Sequence, residues 1–285
     1  MIPSIPQPKW FKVGYTAYIW VFFFFLFAPL AAVSVFAFND SQFPSLPWRG
    51  FTLDWFFSPT GRIGLFYDNR LISSIGTSVK VAAIVTVLTV AIGTLNAFLF
   101  ERVRFRGRGL LFTVILWPLV IPGVILGVSI LQFFSTIANG LEDLLDIRID
   151  FLRPGLPLVI AGQFSFIATI STLIISARLR KFDIALEEAA LNLGASRLTA
   201  IWTVTLPFLR PAMFGAGIIS FLMSFENFNT TLMLVGSDAP VTIRIFTAIR
   251  DGTTPVVNAL SLVLMASMVL LAVGLLFTNR PANAK

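Results

Sequence analysis

The sequence predicts an all-α integral membrane protein with six transmembrane helices and both termini in the cytoplasm. Of its 285 residues, 56% are hydrophobic and only 12% are charged, whereas about a quarter of residues are charged in a soluble domain. The charged residues are clustered, and the intervals between clusters reach the ~20 residues that a helix needs to cross hydrocarbon. The 30 Phe and 6 Trp residues suit contact with lipid and with the membrane interface.

The chain is expected to form a single transmembrane domain over its whole length. The third predicted helix contains Pro118 and Pro122, so we expect it to kink or unwind there while remaining one span. Gly123 and Gly127 are four residues apart and favour a close contact with another helix. Trp55 is expected at headgroup depth in the segment after the first helix. The predicted helices cover residues of about 15–38, 73–100, 110–134, 158–177, 211–235 and 257–277.

Charge distribution predicts the topology. Thirteen of the 21 Lys and Arg residues fall in segments that are cytoplasmic if the N-terminus is inside, which fits the positive-inside rule. The Arg-x-Arg-x-Arg-x-Arg run at 102–108 is interpreted as part of this signal. The net charge of +7 therefore does not indicate nucleic-acid binding, because the run lies in a short loop against the membrane.

Several kinds of chemistry are excluded by residue content. The chain has no Cys and no His, so thiolate chemistry and histidine general bases are impossible. No Lys follows a Gly, which excludes a phosphate-binding loop of the G-x-x-x-x-G-K-[ST] type. We expect no catalytic residue, no metal site and no cofactor bound by this chain.

A polar stretch from Glu188 to Pro207 separates two apolar runs. Its periodicity predicts two short amphipathic helices hinged at Gly194. Ser196 is placed to cap the second helix, and Pro207 is expected to stop its continuation. The alternative interpretation is an ordinary loop between membrane helices.

Two ionisable residues, Lys80 and Glu226, lie within predicted membrane helices at similar depths, and we hypothesise that they pair. Glu226 begins a polar cluster in which Asn229 and Thr230 share its face if the helix is continuous, with Asn227 beside them. Such a cluster is typical of a water-filled solute pathway. Hydrogen bonding between helices is the alternative.

The residues Glu188-Ala189-Ala190, then Gly194, then Val204-x-Leu206-Pro207 resemble the EAA loop of binding-protein-dependent ABC-importer permeases. Val204 stands where that family pattern has Ile. The resemblance extends over nearly the whole chain and is closest to the spermidine/putrescine permeases, which often carry a second acid where this chain has Asn227. It implies a type I ABC-importer permease fold with a cytoplasmic coupling loop at about 178–210. The residues it implies for coupling to the ATPase are Glu187, Glu188, Ala189, Ala190, Gly194, Ala195, Leu206 and Pro207.

The resemblance further implies a multi-pass subunit of the bacterial cytoplasmic (inner) membrane. Its expected partners are a second homologous permease, an ATPase dimer that binds ATP and Mg, and an extracytoplasmic substrate-binding protein. The expected cargo is a polyamine or a related amine or opine-like solute, imported by alternating access. The alternative function is a self-sufficient ion-coupled secondary transporter that uses Lys80 and Glu226.

Overall fold

The computed structural model describes residues 8–43, 46–146, 148–252 and 255–278. Within these ranges the chain forms twelve α-helices, and the extended pairing there is an isolated bridge between Asn39 and Phe51. The helices are α1 (Lys9–Phe36), α2 (Asp54–Phe57), α3 (Asn69–Arg102), α4 (Arg108–Val120), α5 (Gly123–Leu145), α6 (Leu156–Leu179), α7 (Ala185–Asn192), α8 (Arg197–Ala200), α9 (Leu206–Phe225), α10 (Asn229–Leu234), α11 (Val241–Asp251) and α12 (Pro255–Thr278).

Five helical stretches of the described chain are long and apolar enough to cross a membrane: α1, α3, α5, α6 and the continuous helical stretch Arg197–Phe225. The helix α4 and the part of α12 up to Leu270 are apolar but shorter. The first, second, fourth and sixth predicted helices each correspond to one helix of the structure, with ends that differ by a few residues. Six spans remain a prediction.

The third predicted helix is not one bent helix. It is interrupted at Ile121 and Pro122, whose backbones are extended (ψ 127° and 133°), and this separates α4 from α5. Proline disfavours helical geometry in the residue before it, which explains why the helix ends at this proline. Pro118, by contrast, lies inside α4.

The fifth predicted helix, 211–235, was wrong at both ends. Helical structure begins earlier, at Arg197, and continues to Phe225. Residues Glu226 to Phe228 then leave the helix, and α10 resumes at Asn229 for six residues. We call residues 226–228 "the break".

The chain divides into two compact units, one of which contains the residues up to Ile72 and those from Ile245 onward. In this unit α12 packs against α1 and α2. Trp55 is 4% exposed, its indole Nε1 donates to the Asn39 carbonyl at 2.8 Å, and the Arg62 guanidinium lies 5.1 Å from its ring. Trp55 is thus part of the folded core of the segment that follows α1. Its place at headgroup depth stays a prediction.

The second unit runs from Ser73 to Arg244 and is built around α6, which packs against α4, α5, α9 and α10. Small residues allow this packing: a Cβ at Gly93 of α3 would lie 2.8 Å from the Ser171 Cβ of α6. Ser171 in turn shares a buried 2.8 Å hydrogen bond with Ser220 of α9. Close backbones and paired hydroxyls are the usual ways in which membrane helices associate.

Candidate functional site

The first candidate site is the coupling segment, residues 178–210, and its hinge has the expected form. Gly194 ends α7 with φ +88°, in the left-handed region that glycine adopts without steric cost. The Ala195 N–H donates to the Ala190 carbonyl at 3.1 Å and the Gly194 N–H to Leu191 at 2.9 Å, a Schellman-type helix end. The Ser196 hydroxyl then accepts from the Thr199 N–H at 3.1 Å, as a helix N-cap.

Pro207 does not stop the second helix of the coupling segment. The chain is helical without interruption from α8 through a π-helical stretch, Ile201–Thr205, into α9. A proline ring clashes with the carbonyl four residues earlier and lacks an N–H donor. The wider π turn before Pro207 accommodates both effects. The 29 residues from Arg197 to Phe225 therefore form one uninterrupted helical stretch, about 43 Å long at ~1.5 Å per residue. It contains Pro207 and Pro211, and we call it "the rod".

The two faces of the coupling segment differ. Glu187, in the first turn of α7, accepts hydrogen bonds from Arg102 Nη2 at 3.1 Å and from the Thr205 hydroxyl. Glu188 and Ala189 are exposed, whereas Ala190, Ala195, Leu206 and Pro207 are half-buried. The surface of the segment also carries large apolar side chains that are 37–90% exposed: Leu186, Leu191, Leu193, Leu198 and Trp202.

The second candidate site is the break, which is held by hydrogen bonds from other helices. The Asn227 carbonyl accepts from the Thr242 hydroxyl of α11 at 3.0 Å. The Asn227 side-chain oxygen accepts from the Thr231 N–H and hydroxyl at 3.2 and 2.8 Å. The α11 helix is itself anchored, because the Val241 N–H donates to the Ser78 hydroxyl of α3 at 2.8 Å.

Gln163 of α6 is a residue of this site that was not predicted from the sequence. Its side chain is 1% exposed; its Nε2 donates to the Thr231 hydroxyl at 2.8 Å, and its Oε1 accepts from the Ser224 hydroxyl. It therefore joins the last turn of α9 to α10 across the break. A carboxamide within a predicted membrane helix was the signal that could have identified it.

The break lies against the interruption between α4 and α5. A Cβ at Gly123, the first residue of α5, would lie 3.1 Å from the Asn229 Cβ and 3.2 Å from the Thr230 hydroxyl. One turn later, a Cβ at Gly127 would lie 2.9 Å from the Met233 Cβ. The close contact expected of these two glycines is confirmed, and α10 is its partner. Interrupted membrane helices that meet in this way are typical of solute sites in transporters.

The predicted pathway residues separate into two groups. Glu226 and Asn229 are exposed, whereas Thr230 is 1% exposed and the Asn227 side-chain oxygen is used within the chain. Because the helix breaks, the face predicted for a continuous helix does not exist. Lys80 is exposed as well, and among the described residues it makes no ion pair with Glu226.

This arrangement suits the binding of a polar solute. A carboxylate and a carboxamide are exposed here, Glu226 in the break and Asn229 directly after it, and such groups accept hydrogen bonds from ammonium donors. In the described part of the chain, no three Asp or Glu side chains gather as a metal site would require.

Comparison with known proteins identifies relatives over most of the chain, although no family model matches it. The chain is 30% identical over 255 residues to the putrescine transport system permease protein PotI of Escherichia coli K12, covering 89% of this chain and 84% of PotI. It is 28% identical over 270 residues to the spermidine/putrescine transport system permease protein PotC of Haemophilus influenzae, covering 93% and 96%.

Solved structures agree at the level of the fold. A bacterial ABC transporter involved in the import of the acidic polysaccharide alginate matches with a TM-score of 0.74 at 21% identity, over 92% of each chain. The alginate ABC transporter in complex with its alginate pentasaccharide-bound periplasmic protein matches with a TM-score of 0.70, also at 21% identity, over 94% of this chain and 92% of the other. Its fold and its relatives together place this membrane protein in the family of spermidine/putrescine-type ABC-importer permeases that includes PotI and PotC.

Proposed function

We propose that this chain is the permease subunit of an ATP-driven importer that moves a polyamine or a related cationic amine into the cytoplasm of a bacterium through the inner membrane. The observation that carries the proposal is the continuous rod from Arg197 to Phe225. One end of the rod belongs to the exposed apolar surface of the coupling segment, and the other end is the break. A movement imposed on the coupling segment would be delivered directly to the polar residues beside the break.

A separate ATPase dimer binds ATP and Mg and hydrolyses the ATP, and this chain is non-catalytic. The ATPase docks on the exposed side chains of the coupling segment, with Glu188 and Ala189 at the contact and Gly194 as its hinge. Leu193 and Trp202 of this segment are 90% and 66% exposed, and exposed apolar side chains on a polar segment suit a protein contact. A second permease and an extracytoplasmic binding protein complete the importer, and the binding protein delivers the cargo to the outside of the membrane.

Glu226 and Asn229 contact the cargo in this proposal. Both side chains are exposed, one in the break and one directly after it, and a carboxylate suits an amine cargo. Asn227, Thr230, Pro118 and Pro122 act indirectly by shaping the two interruptions. A self-sufficient ion-coupled transporter is not favoured by the relatives, and among the described residues Lys80 and Glu226 form no ion pair.

Docking is tested by co-purification of the tagged chain with the ATPase from the same genome. Leu193→Asp should release the ATPase, because it places a charge in the apolar contact. Leu144→Asp is the matched control, since Leu144 is 84% exposed but lies at the far end of α5. Full retention of the ATPase by Leu193→Asp would contradict the docking surface.

Transport is tested in proteoliposomes that contain the complete importer, with radiolabelled putrescine and spermidine as probes. Gly194→Pro and Glu188→Lys should each abolish ATP-dependent uptake while the chain remains inserted. Uptake by liposomes that contain this chain without an ATPase would overturn the importer proposal. Titration of the purified binding protein with both polyamines and with an opine then distinguishes the cargo classes.

A further inference from the structure

Two consecutive glutamates lie in the first turn of α7, and the structure places them differently. Glu188 is exposed, whereas the Glu187 carboxylate faces the chain and is 21% exposed. One Glu187 oxygen accepts from both Arg102 and Thr205. A carboxylate with two donors on a single oxygen has a fixed position, which is unlike a carboxylate available to a docking partner.

The first donor, Arg102, is the last residue of α3 and the first arginine of the 102–108 run. Its guanidinium is 20% exposed on the side chain, and it lies 5.3 Å from the centre of the Phe182 ring, just before α7. Phe182 packs edge-on against Phe208 of α9 at 5.1 Å. Arg102 is therefore built into the junction between membrane helices and the coupling segment, beyond any role in setting topology.

The second donor, Thr205, is the last residue of the π-helical stretch and is 0% exposed. It belongs to the rod that runs from Arg197 to Phe225. Glu187 thus joins three elements at one oxygen: the cytoplasmic end of α3, the first turn of α7, and the rod.

Apart from this junction, α7 is joined to the rod by the turn at Gly194 and by packing against α8 and the π-helical stretch. That turn is formed by a left-handed glycine, whose backbone has more conformational freedom than that of a residue with a Cβ. Without the junction, a push on α7 would be absorbed by bending at Gly194. A side-chain strut between α7 and the rod prevents that loss of motion.

We propose that Glu187 is the positioning residue that transmits movement of α7 to α3 and to the rod, and that Arg102 and Thr205 are its two anchors. Glu187 is consequently an internal strut and not an ATPase contact. This inference rests on the proposed function, because it requires an ATPase that moves α7.

The test compares uptake per ATP hydrolysed in the reconstituted importer, with putrescine and spermidine as probes. Glu187→Ala, Glu187→Gln, Arg102→Met and Thr205→Val should each retain the ATPase and its hydrolysis. Uptake per ATP should fall about five-fold or more in the alanine variant, the lower range for coupling between sites. Arg104→Met is the matched control, because Arg104 is exposed in the same arginine run, and it should leave the ratio unchanged.

A second measurement does not depend on the cargo. The chain has no Cys, so Asn229→Cys provides a unique reactive thiol in this subunit beside the break. Its labelling by a water-soluble methanethiosulfonate reagent should change on addition of ATP. That change should disappear when Glu187→Ala is added and persist when Arg104→Met is added.

Charge exchange separates a strut from a fold requirement. The double variant Glu187→Arg with Arg102→Glu should recover part of the uptake per ATP lost by either single exchange, and an undiminished loss would overturn the proposal. Unchanged uptake per ATP in Glu187→Ala would overturn it too, and so would loss of the ATPase from that variant, since Glu187 would then be a docking residue. Failure of the unmodified importer to couple uptake to ATP would instead refute the proposed function itself.

Discussion

The packing of α10 on α5 leads to a prediction about Gly127→Ala. A Cβ at this position would lie 2.9 Å from the Met233 Cβ and 3.0 Å from the Thr230 carbonyl oxygen, against 3.4 Å for an ordinary contact. Neither atom is the end of a flexible side chain. The helix α10 must therefore move by about 0.5 Å, and overpacking of this kind costs about 1–3 kcal/mol.

Gly140→Ala is the matched control for this prediction. Gly140 lies in the same helix, and a Cβ there meets nothing within 4 Å. Both substitutions gain the helix propensity of alanine, about 1 kcal/mol. This gain cancels in the comparison, so Gly127→Ala should be less stable than Gly140→Ala by the full ~1–3 kcal/mol of overpacking.

The measurement is equilibrium unfolding of the two variants in mixed micelles, with ATP-driven polyamine uptake as a second readout. Uptake should fall for Gly127→Ala and not for Gly140→Ala, because only the former displaces the helix that follows the break. Equal stability of the two variants would refute the reasoning, since it would mean that α10 does not rest on Gly127.

Three further predictions concern the break and the hinge. Gln163→Leu removes two buried hydrogen bonds, each worth about 0.6 kcal/mol in a membrane. It should therefore lower the free energy of unfolding relative to the control Gln132→Leu, whose glutamine is exposed. Equal free energies of unfolding in the two variants would contradict the bridging role of Gln163. Gly194→Ala forces φ +88° on a residue with a Cβ, at a cost of about 1–2 kcal/mol. The amide hydrogens of α7 should therefore exchange faster in this variant than in the control Gly215→Ala, where an added Cβ meets no heavy atom within 4 Å. Glu226→Gln should raise the KM for putrescine uptake by the complete importer while uptake at saturating putrescine changes less; an unaltered KM would remove Glu226 from the pathway.

Much of the helical framework could be predicted from the sequence. Long uncharged apolar intervals identify membrane helices because hydrocarbon tolerates few charges, and the first, second, fourth and sixth predicted helices correspond to single helices of the structure. The hinge at Gly194 and the cap at Ser196 were also accessible, since turn and cap preferences depend on a few neighbouring residues.

Predictions of where a helix is interrupted and where it continues were less successful. Pro122 interrupts a helix, whereas Pro118 lies inside one and Pro207 follows a π turn in another. Each of the three lacks a backbone N–H and restricts the residue before it, so proline by itself does not determine whether a helix ends, bends or continues. The sequence around the break contains no proline or glycine that would indicate an interruption, so these residues were predicted to be helical.

The sequence by itself determined that this is a membrane protein, where its polar coupling segment lies and where that segment turns, because hydrophobicity, charge clustering and turn chemistry are properties of short stretches. Only the tertiary structure decided which polar residues are hydrogen-bonded within the chain and which are exposed and able to contact a solute. Gln163 meets Ser224 and Thr231, 61 and 68 residues away, and Glu187 meets Arg102, 85 residues away. Such bonds bury Thr231, occupy Asn227 and leave Glu226 and Asn229 exposed, a division that depends on how distant helices pack.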